Sequence, residues 1–293
     1  MTGTAQEPVE PGAASDDVAW VIADLREPSA VRAAVETAKP DVVVHLAGQP
    51  HVPLSWEDPT GTFHDNTGMT INVLESVREL SPSAHVILVA SGEMYGPPDR
   101  LPVDESAPLR PQNPYAVSKV ATEVIGRFYA DVRGLHVVRA RAFNHAGPGQ
   151  PPIYAISSFA RQVAAGLLAG DDPVRVVTGN PDSRKDYTDV RDVAEAYRLL
   201  ADAPSEAYNV CSGRSVGIAE LVSRLGAVAD VEVDHVVDPA LLRPNEVLEI
   251  RGARDRITAA TGWEPRIPLE TTLADAIEWW RERLAHEGKA VSG

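Results

Sequence analysis

Hydrophobic positions follow two rhythms along the first half of the chain. Short, nearly unbroken apolar runs stand at 18–22 (VAWVI), 41–47 (DVVVHLA), 85–90 (HVILVA) and 136–142 (HVVRARA), and they are rich in β-branched residues. A strand covered on both faces has this pattern, because neither face meets water. Between the runs lie longer stretches with helical spacing. Residues 27–37 (EPSAVRAAVET) carry Pro28 near the first turn, where a missing N–H costs nothing. Residues 60–79 place Ile71, Val73, Leu74 and Val77 on a helix, and residues 115–131 follow Pro114. Strands alternating with helices predict βαβ units, hence an α/β fold with a doubly wound parallel sheet.

Beyond residue 143 the rhythm loosens. Glycine and proline cluster at 147–152 (GPGQPP) and 179–182 (GNPD), and helices are predicted at 156–169, 190–201, 219–227 and 272–285. This half predicts a smaller, mixed α/β domain. The expected division is 1–143 with 186–212 as one domain and 144–185 with 213–293 as the other. A nucleotide-binding sheet of this Rossmann type normally opens with a strand, a glycine-rich turn and a helix, whose amides hold a pyrophosphate. Here MTGT follows no strand, and Pro8 and Pro11 interrupt what comes next. The chain is therefore expected to start at the second strand of such a domain, truncated by roughly 25–30 residues relative to a complete first unit.

Composition narrows the classes. With 27 basic and 42 acidic residues the net charge is −15, which excludes broad nucleic-acid binding. A hydrophobic fraction of 44% excludes a disordered chain. Cys211 is the single cysteine, so no internal disulfide or cysteine-rich metal site can form. No apolar run is long enough for a transmembrane helix, and the first residues lack the basic and apolar segments of a secretory signal. A cytoplasmic protein without membrane or nucleic-acid partners is expected.

Three constellations could carry chemistry. Tyr115 and Lys119 are spaced i, i+4 at the start of a predicted helix and share a face. A cation beside a phenol favours the phenolate, so the pair could exchange a proton with a carbonyl or hydroxyl near neutral pH. A chance match is the competing reading for so short a motif. Ser91 and Glu93 follow the strand at 85–90, where open α/β sheets bind ligands; there Ser91 could bond a substrate oxygen and Glu93 could act as a base or hold a hydroxyl. Punctuation of a loop is the bland alternative. Arg184, Lys185, Arg243 and Arg254 are loop cations that could hold a diphosphate, though a solvated surface charge is the commoner role for any one of them. His145 follows Asn144 just past a strand end and is a further site candidate, whereas His45, on an apolar strand, reads as a packed core residue. No metal-ligand spacing and no G-x-S-x-G nucleophile elbow occurs, so no metal site is expected.

With these residues in view, the sequence resembles the extended short-chain dehydrogenase/reductases, the NAD(P)-dependent nucleotide-sugar epimerases, dehydratases and reductases. Ser91, Tyr115 and Lys119 match that family's catalytic set. Asp24-Leu25 matches its pair near the adenine, and Leu46-Ala47-Gly48 the strand end along the cofactor. The segments RPQNPYAVSK (110–119), RAFNHAGPGQ (141–150), KDYTDVRDVAEAYRLL (185–200), YNVCSG (208–213), LRPNEV (242–247) and TGWEPRIPLETTL (261–273) are most similar to the GDP-4-dehydro-6-deoxy-D-mannose reductase group.

The resemblance implies NADP or NAD as cofactor, with His145 also on the cofactor side. It implies a nucleotide-sugar substrate, with Asn144, Lys185 and Arg243 at the diphosphate, Glu246 near a ribose hydroxyl, and Ser91, Glu93, Arg184 and Asn245 also on the substrate side, and it implies a homodimer. Where relatives carry arginine this chain has Lys185, and Arg184 beside it is expected to compensate. The alternatives are a 4,6-dehydratase, in which Glu93 would abstract the C5 proton, a 4-epimerase, or a non-catalytic remnant.

Overall fold

The computed structural model describes residues 1–6, 18–242 and 246–291, with side chains to residue 287. In order the elements are β1 (Thr2–Ala5), β2 (Ala19–Ile22), α1 (Pro28–Ala38), β3 (Val42–His45), α2 (Val52–Glu57), α3 (Pro59–Leu80) and β4 (His85–Ser91). A 3-10 turn, Gly92–Tyr95, leaves β4 and is followed by α4 (Pro114–Asp131), β5 (His136–Ala142), β6 (Asn144–Ala146) and α5 (Ala155–Ala169). Then come β7 (Val174–Thr178), β8 (Arg184–Asp189), α6 (Val190–Leu200), β9 (Ala207–Val210), β10 (Ser215–Gly217) and α7 (Ile218–Ala229). The last are β11 (Val233–Val237), β12 (Glu249–Ile250), α8 (Asp255–Thr261) and α9 (Leu269–Val291).

The chain divides into two compact units, each assembled from three stretches. The first holds Met1–Gly96, Pro108–Arg141 and Tyr197–Tyr208; the second holds Pro97–Ala107, Ala142–Ala196 and Asn209–Gly293. The second is not the smaller, contrary to the sequence reading. It takes in residues 97–107 and most of α6, which that reading gave to the first unit.

In the first unit β3, β4, β5 and β9 lie side by side in that order, and β1 and β2 form a separate parallel pair. β3 and β4 run parallel, with Val43 opposite Val86 and His45 opposite Leu88. Val86, Leu88 and Val137 project to one face. They meet Val31 and Val35 of α1, Val73, Leu74 and Val77 of α3, and Tyr129 of α4. Ile87, on the other face, is equally buried, which accounts for the unbroken apolar run. Among the described residues, β1 and β3 pair on one edge only.

The helices start where the sequence signals. Pro59 and Pro114 take the first turns of α3 and α4; Asp58 accepts the Gly61 N–H at 2.8 Å, and Asn113 accepts the Ala116 N–H at 2.7 Å.

The second unit packs α5, α7 and α9 against parallel β7 and β11 around Ile156, Val163, Val174, Leu221, Leu225, Leu273 and Trp280. β8 pairs with β6, β10 and β12. Its polar sequence, RKDYTD, hides it from a hydrophobicity reading, yet Asp186 and Asp189 are buried. Asp186 accepts N–H bonds from Ser212, Gly213 and Gly252 and the Ser212 hydroxyl, so its carboxylate is satisfied by chain far away in sequence.

Candidate active site

β4 ends at Ser91, which is buried and in extended backbone. Its Oγ accepts the Glu93 N–H at 3.2 Å, capping the 3-10 turn. The cap occupies a lone pair and leaves the hydroxyl proton available, so the punctuating and the chemical roles coexist in one side chain. Gly96 leaves the turn at φ +61°, and a Cβ there would lie 1.9 Å from the Arg110 carbonyl oxygen, so only glycine fits. The Arg110 N–H in turn donates to Met94 O at 3.0 Å.

Tyr115 and Lys119 sit on the first two turns of α4, both buried. The Lys119 Nζ donates to the Val89 carbonyl, 2.9 Å away and two residues before Ser91. Burial lowers the Lys119 pKa from 10.5 to about 8. His45 is a core histidine bonded to the Thr70 hydroxyl at 3.2 Å; burial, and then the Lys119 charge, hold its pKa down at about 3. It is neutral at any working pH.

Leu46, Ala47 and Gly48 follow β3. A Cβ on Gly48 would lie 2.8 Å from Asn66 Oδ1 and 3.8 Å from Lys119 Nζ, so bare backbone passes close to the ammonium. Asn66 organises this corner. Its Oδ1 accepts the Gln49 N–H at 2.6 Å, and its Nδ2 donates to Ser118 Oγ at 2.9 Å and Gln49 O at 3.2 Å. The sequence reading missed Asn66; a buried amide on the inner face of a predicted helix was the available signal. Asp24 pairs with Arg26, whose side-chain hydrogen bonds bring the Asp24 pKa down to about 2. Leu25 leans on the core of the unit, and its carbonyl accepts from Asn72 at 2.9 Å.

The second unit holds the other candidates. Asn144 and His145 lie on β6 opposite Tyr187 and Thr188 of β8, and His145 Nδ1 is 3.2 Å from the Phe143 carbonyl. Lys185 donates to Val247 O at 2.7 Å. Arg184 turns elsewhere, donating to Ser215 O at 3.0 Å and pairing with Glu220 at 3.5 Å. Adjacent strand residues point to opposite faces, so the Arg184 and Lys185 side chains are directed apart. Glu246 accepts the Ser183 hydroxyl at 2.9 Å and the Asn180 amide at 3.3 Å. Arg254 donates to Ser212 O at 2.7 Å. Arg243 and Asn245 lie outside the described residues. Among the described residues, no group of three or more His, Cys, Asp and Glu is arranged to hold a metal, and no helix is long and apolar enough to cross a membrane.

A parallel α/β sheet with a serine at a strand end and a Tyr-x-x-x-Lys helix beside it is the framework of a nucleotide-sugar-modifying family. A sequence model of that family, described as GDP-mannose 4,6 dehydratase, matches residues 4–276, and the chain belongs to it. More particularly, the chain is 39% identical over 252 residues to the GDP-6-deoxy-D-mannose reductase of Pseudomonas aeruginosa, covering 85% of this chain and 83% of that one. The structure of RMD from Pseudomonas aeruginosa complexed with NADPH superposes with a TM-score of 0.84 at 36% identity, covering 92% of each chain. The UDP-glucose 4-epimerase of Thermus thermophilus in complex with NAD gives a TM-score of 0.83 at 28% identity, covering 93% of this chain and 88% of that one. The Rossmann-like α/β fold read from the sequence is thereby confirmed.

Proposed function

We propose that this chain reduces a nucleotide-linked 4-keto-6-deoxyhexose with NADPH or NADH, converting GDP-4-dehydro-6-deoxy-D-mannose to GDP-D-rhamnose. The observation that carries the reading is the placement, within one unit, of Ser91 at the end of β4 and of Tyr115 and a buried Lys119 on α4. Similarity to a protein named GDP-6-deoxy-D-mannose reductase, and to a structure complexed with NADPH, supports the substrate and cofactor.

The first unit takes the cofactor in this reading. The cradle at Gly48, closed to any side chain and near the Lys119 ammonium, fits the nicotinamide end. Leu46, Ala47, Tyr115 and Lys119 would contact the cofactor, with Asp24 and Leu25 toward the adenine. When bound there, a reduced nicotinamide would supply the hydride chemistry for C4 of the sugar. Tyr115 gives its phenolic proton to the C4 oxygen, Ser91 donates a hydrogen bond to the same oxygen, and the Lys119 charge favours the phenolate left behind. Glu93 contacts the sugar. By resemblance alone, Asn144, Lys185 and Arg243 are the candidates for a diphosphate and Glu246 for a ribose hydroxyl.

The test is incubation of the purified chain with the GDP-linked keto sugar and NADPH. Loss of the reduced-nicotinamide absorbance in step with GDP-D-rhamnose formation is expected; no cofactor consumption refutes the reading. A 4,6-dehydratase is the second reading, favoured by Glu93 two residues after Ser91. Dehydratases and epimerases return the cofactor to its starting state, so turnover of GDP-mannose without net oxidation would select that class.

A homodimer belongs to the same reading. Phe63 and Ile71 of α3 and Val117, Val124 and Phe128 of α4 are exposed by 41–60%. They form an apolar face on two helices packed together. A second copy, offering the same face across a two-fold axis, would cover it. Light scattering should give a dimer for the parent and a monomer for Val124→Glu; a monomeric parent excludes the assembly. A cytoplasmic setting accords with the free, buried thiol of Cys211.

A further inference from the structure

Ser91 and Tyr115 stand on separate segments. The chain between them is long, and residues 97–107 cluster with the second unit rather than with either segment. Covalent connection therefore does little to fix the serine against the phenol. A buried network of three side chains, each from a different element of the first unit, joins them instead.

Tyr95 closes the 3-10 turn that follows Ser91 and is almost wholly buried. Arg141 lies near the end of β5, with its side chain 7% exposed; Glu123 lies on α4, with its side chain 10% exposed. Arg141 Nη1 donates to Tyr95 Oη at 2.7 Å. Its Nε and Nη2 donate to Glu123 Oε2 and Oε1 at 2.8 and 2.5 Å. The guanidinium also lies over the Tyr95 ring, 5.1 Å from its centroid. Glu123 is one helical turn beyond Lys119 and two beyond Tyr115, on the same face of α4. One planar fork thus holds the serine turn with one edge and the tyrosine helix with the other, which a lysine could not do.

Stability alone does not call for this arrangement. Buried ion pairs are often no better than apolar side chains of the same volume. What an apolar replacement would lack is direction: each N–H of the fork specifies where its partner stands.

We propose that Tyr95, Arg141 and Glu123 are positioning residues, which set the Ser91 hydroxyl against the Tyr115 phenol for work on one carbonyl oxygen. The proposal rests on the reductase reading for what that oxygen is.

The experiment compares the parent, Tyr95→Phe, Ser91→Ala and the double variant, with kcat expressed per site that binds NADPH, so that unfolded molecules are not counted. Tyr95→Phe keeps the ring and deletes the hydroxyl that accepts from Arg141, and a misplacement approaching 1 Å should lower kcat about tenfold with little change in NADPH affinity. Ser91→Ala should lower it about a hundredfold. If Tyr95 acts through Ser91, the double variant falls no more than about threefold below Ser91→Ala. Multiplied losses, or an unchanged kcat in Tyr95→Phe, overturn the proposal.

An inactive parent would count against the reductase reading, and crystal structures then decide the positioning role separately. The distance from Ser91 Oγ to Tyr115 Oη should differ by about 0.5 Å or more between the parent and Tyr95→Phe, the tolerance within which catalytic groups must be held. Superimposable serines overturn the proposal.

Discussion

Two glycines inside helices of the first unit should respond oppositely to the same substitution. Glycine in a helix interior costs about 0.5–1 kcal/mol relative to alanine, so each site starts with that gain available. At Gly68 of α3 a Cβ meets nothing within 4 Å. Gly68→Ala should therefore stabilise by about 0.5–1 kcal/mol. At Gly126 of α4 the same atom would fall 2.5 Å from Leu88 Cδ2, with Val137 Cγ1 at 3.4 Å. Leu88 and Val137 are fully buried, so the leucine can shift only by displacing close-packed neighbours. Overpacking of this kind costs about 1–3 kcal/mol, which set against the helical gain leaves Gly126→Ala less stable by up to about 2.5 kcal/mol. Urea denaturation followed by circular dichroism measures both. At roughly 2–4 °C per kcal/mol, the two melting temperatures should diverge by several degrees. Because α4 also carries Tyr115 and Lys119, kcat should fall in Gly126→Ala alone. A Gly126→Ala variant as stable as the parent would refute the packing argument, and a destabilised Gly68→Ala would refute the propensity term.

Other outcomes follow from single residues. Tyr115→Phe should lower kcat about 10²–10⁴-fold while NADPH binding, read by fluorescence titration, persists; a milder loss removes the phenol from the chemistry. Lys119 gives up its proton more readily in the folded chain, with a pKa near 8 against 10.5. Between those values the unfolded chain binds more protons, so the charged ammonium costs stability in full below about pH 8, and stability recovers as pH rises toward about 10.5. Lys119→Met should therefore unfold at higher urea than the parent at neutral pH, with a margin that shrinks in alkali; a constant margin contradicts the burial argument. Asp186→Ala strands three backbone N–H groups, at about 1–3 kcal/mol each, and should lose at least about 3 kcal/mol in urea unfolding. A loss under 1 kcal/mol would mean that water replaces the carboxylate.

Legibility in the sequence follows where each element finds its partners. β4 and α4 were readable because their causes are local: an apolar run for a doubly covered strand, and Asn113-Pro114 for a capped helix start. Ser91, Tyr115 and Lys119 inherit that clarity, since they stand at the ends of those elements. β8 was not readable, because its buried carboxylates are answered by Ser212, Gly213, Gly252 and Thr272, all distant in sequence. β6, β10 and β12 are too short to carry a periodicity. The separation of Arg184 from Lys185 follows from β8, whose polar sequence carries no strand signal. Two arginines within HVVRARA were a visible anomaly, and Arg141 turns out to be the centre of the buried network.

The interleaved chain path bears on inheritance. Since each unit is stitched from three separated stretches, no single crossover in a gene could exchange one unit for a foreign counterpart and leave the other whole. New sugar preferences in such a scaffold have to arise residue by residue, under the constraint that both halves keep folding from one continuous thread.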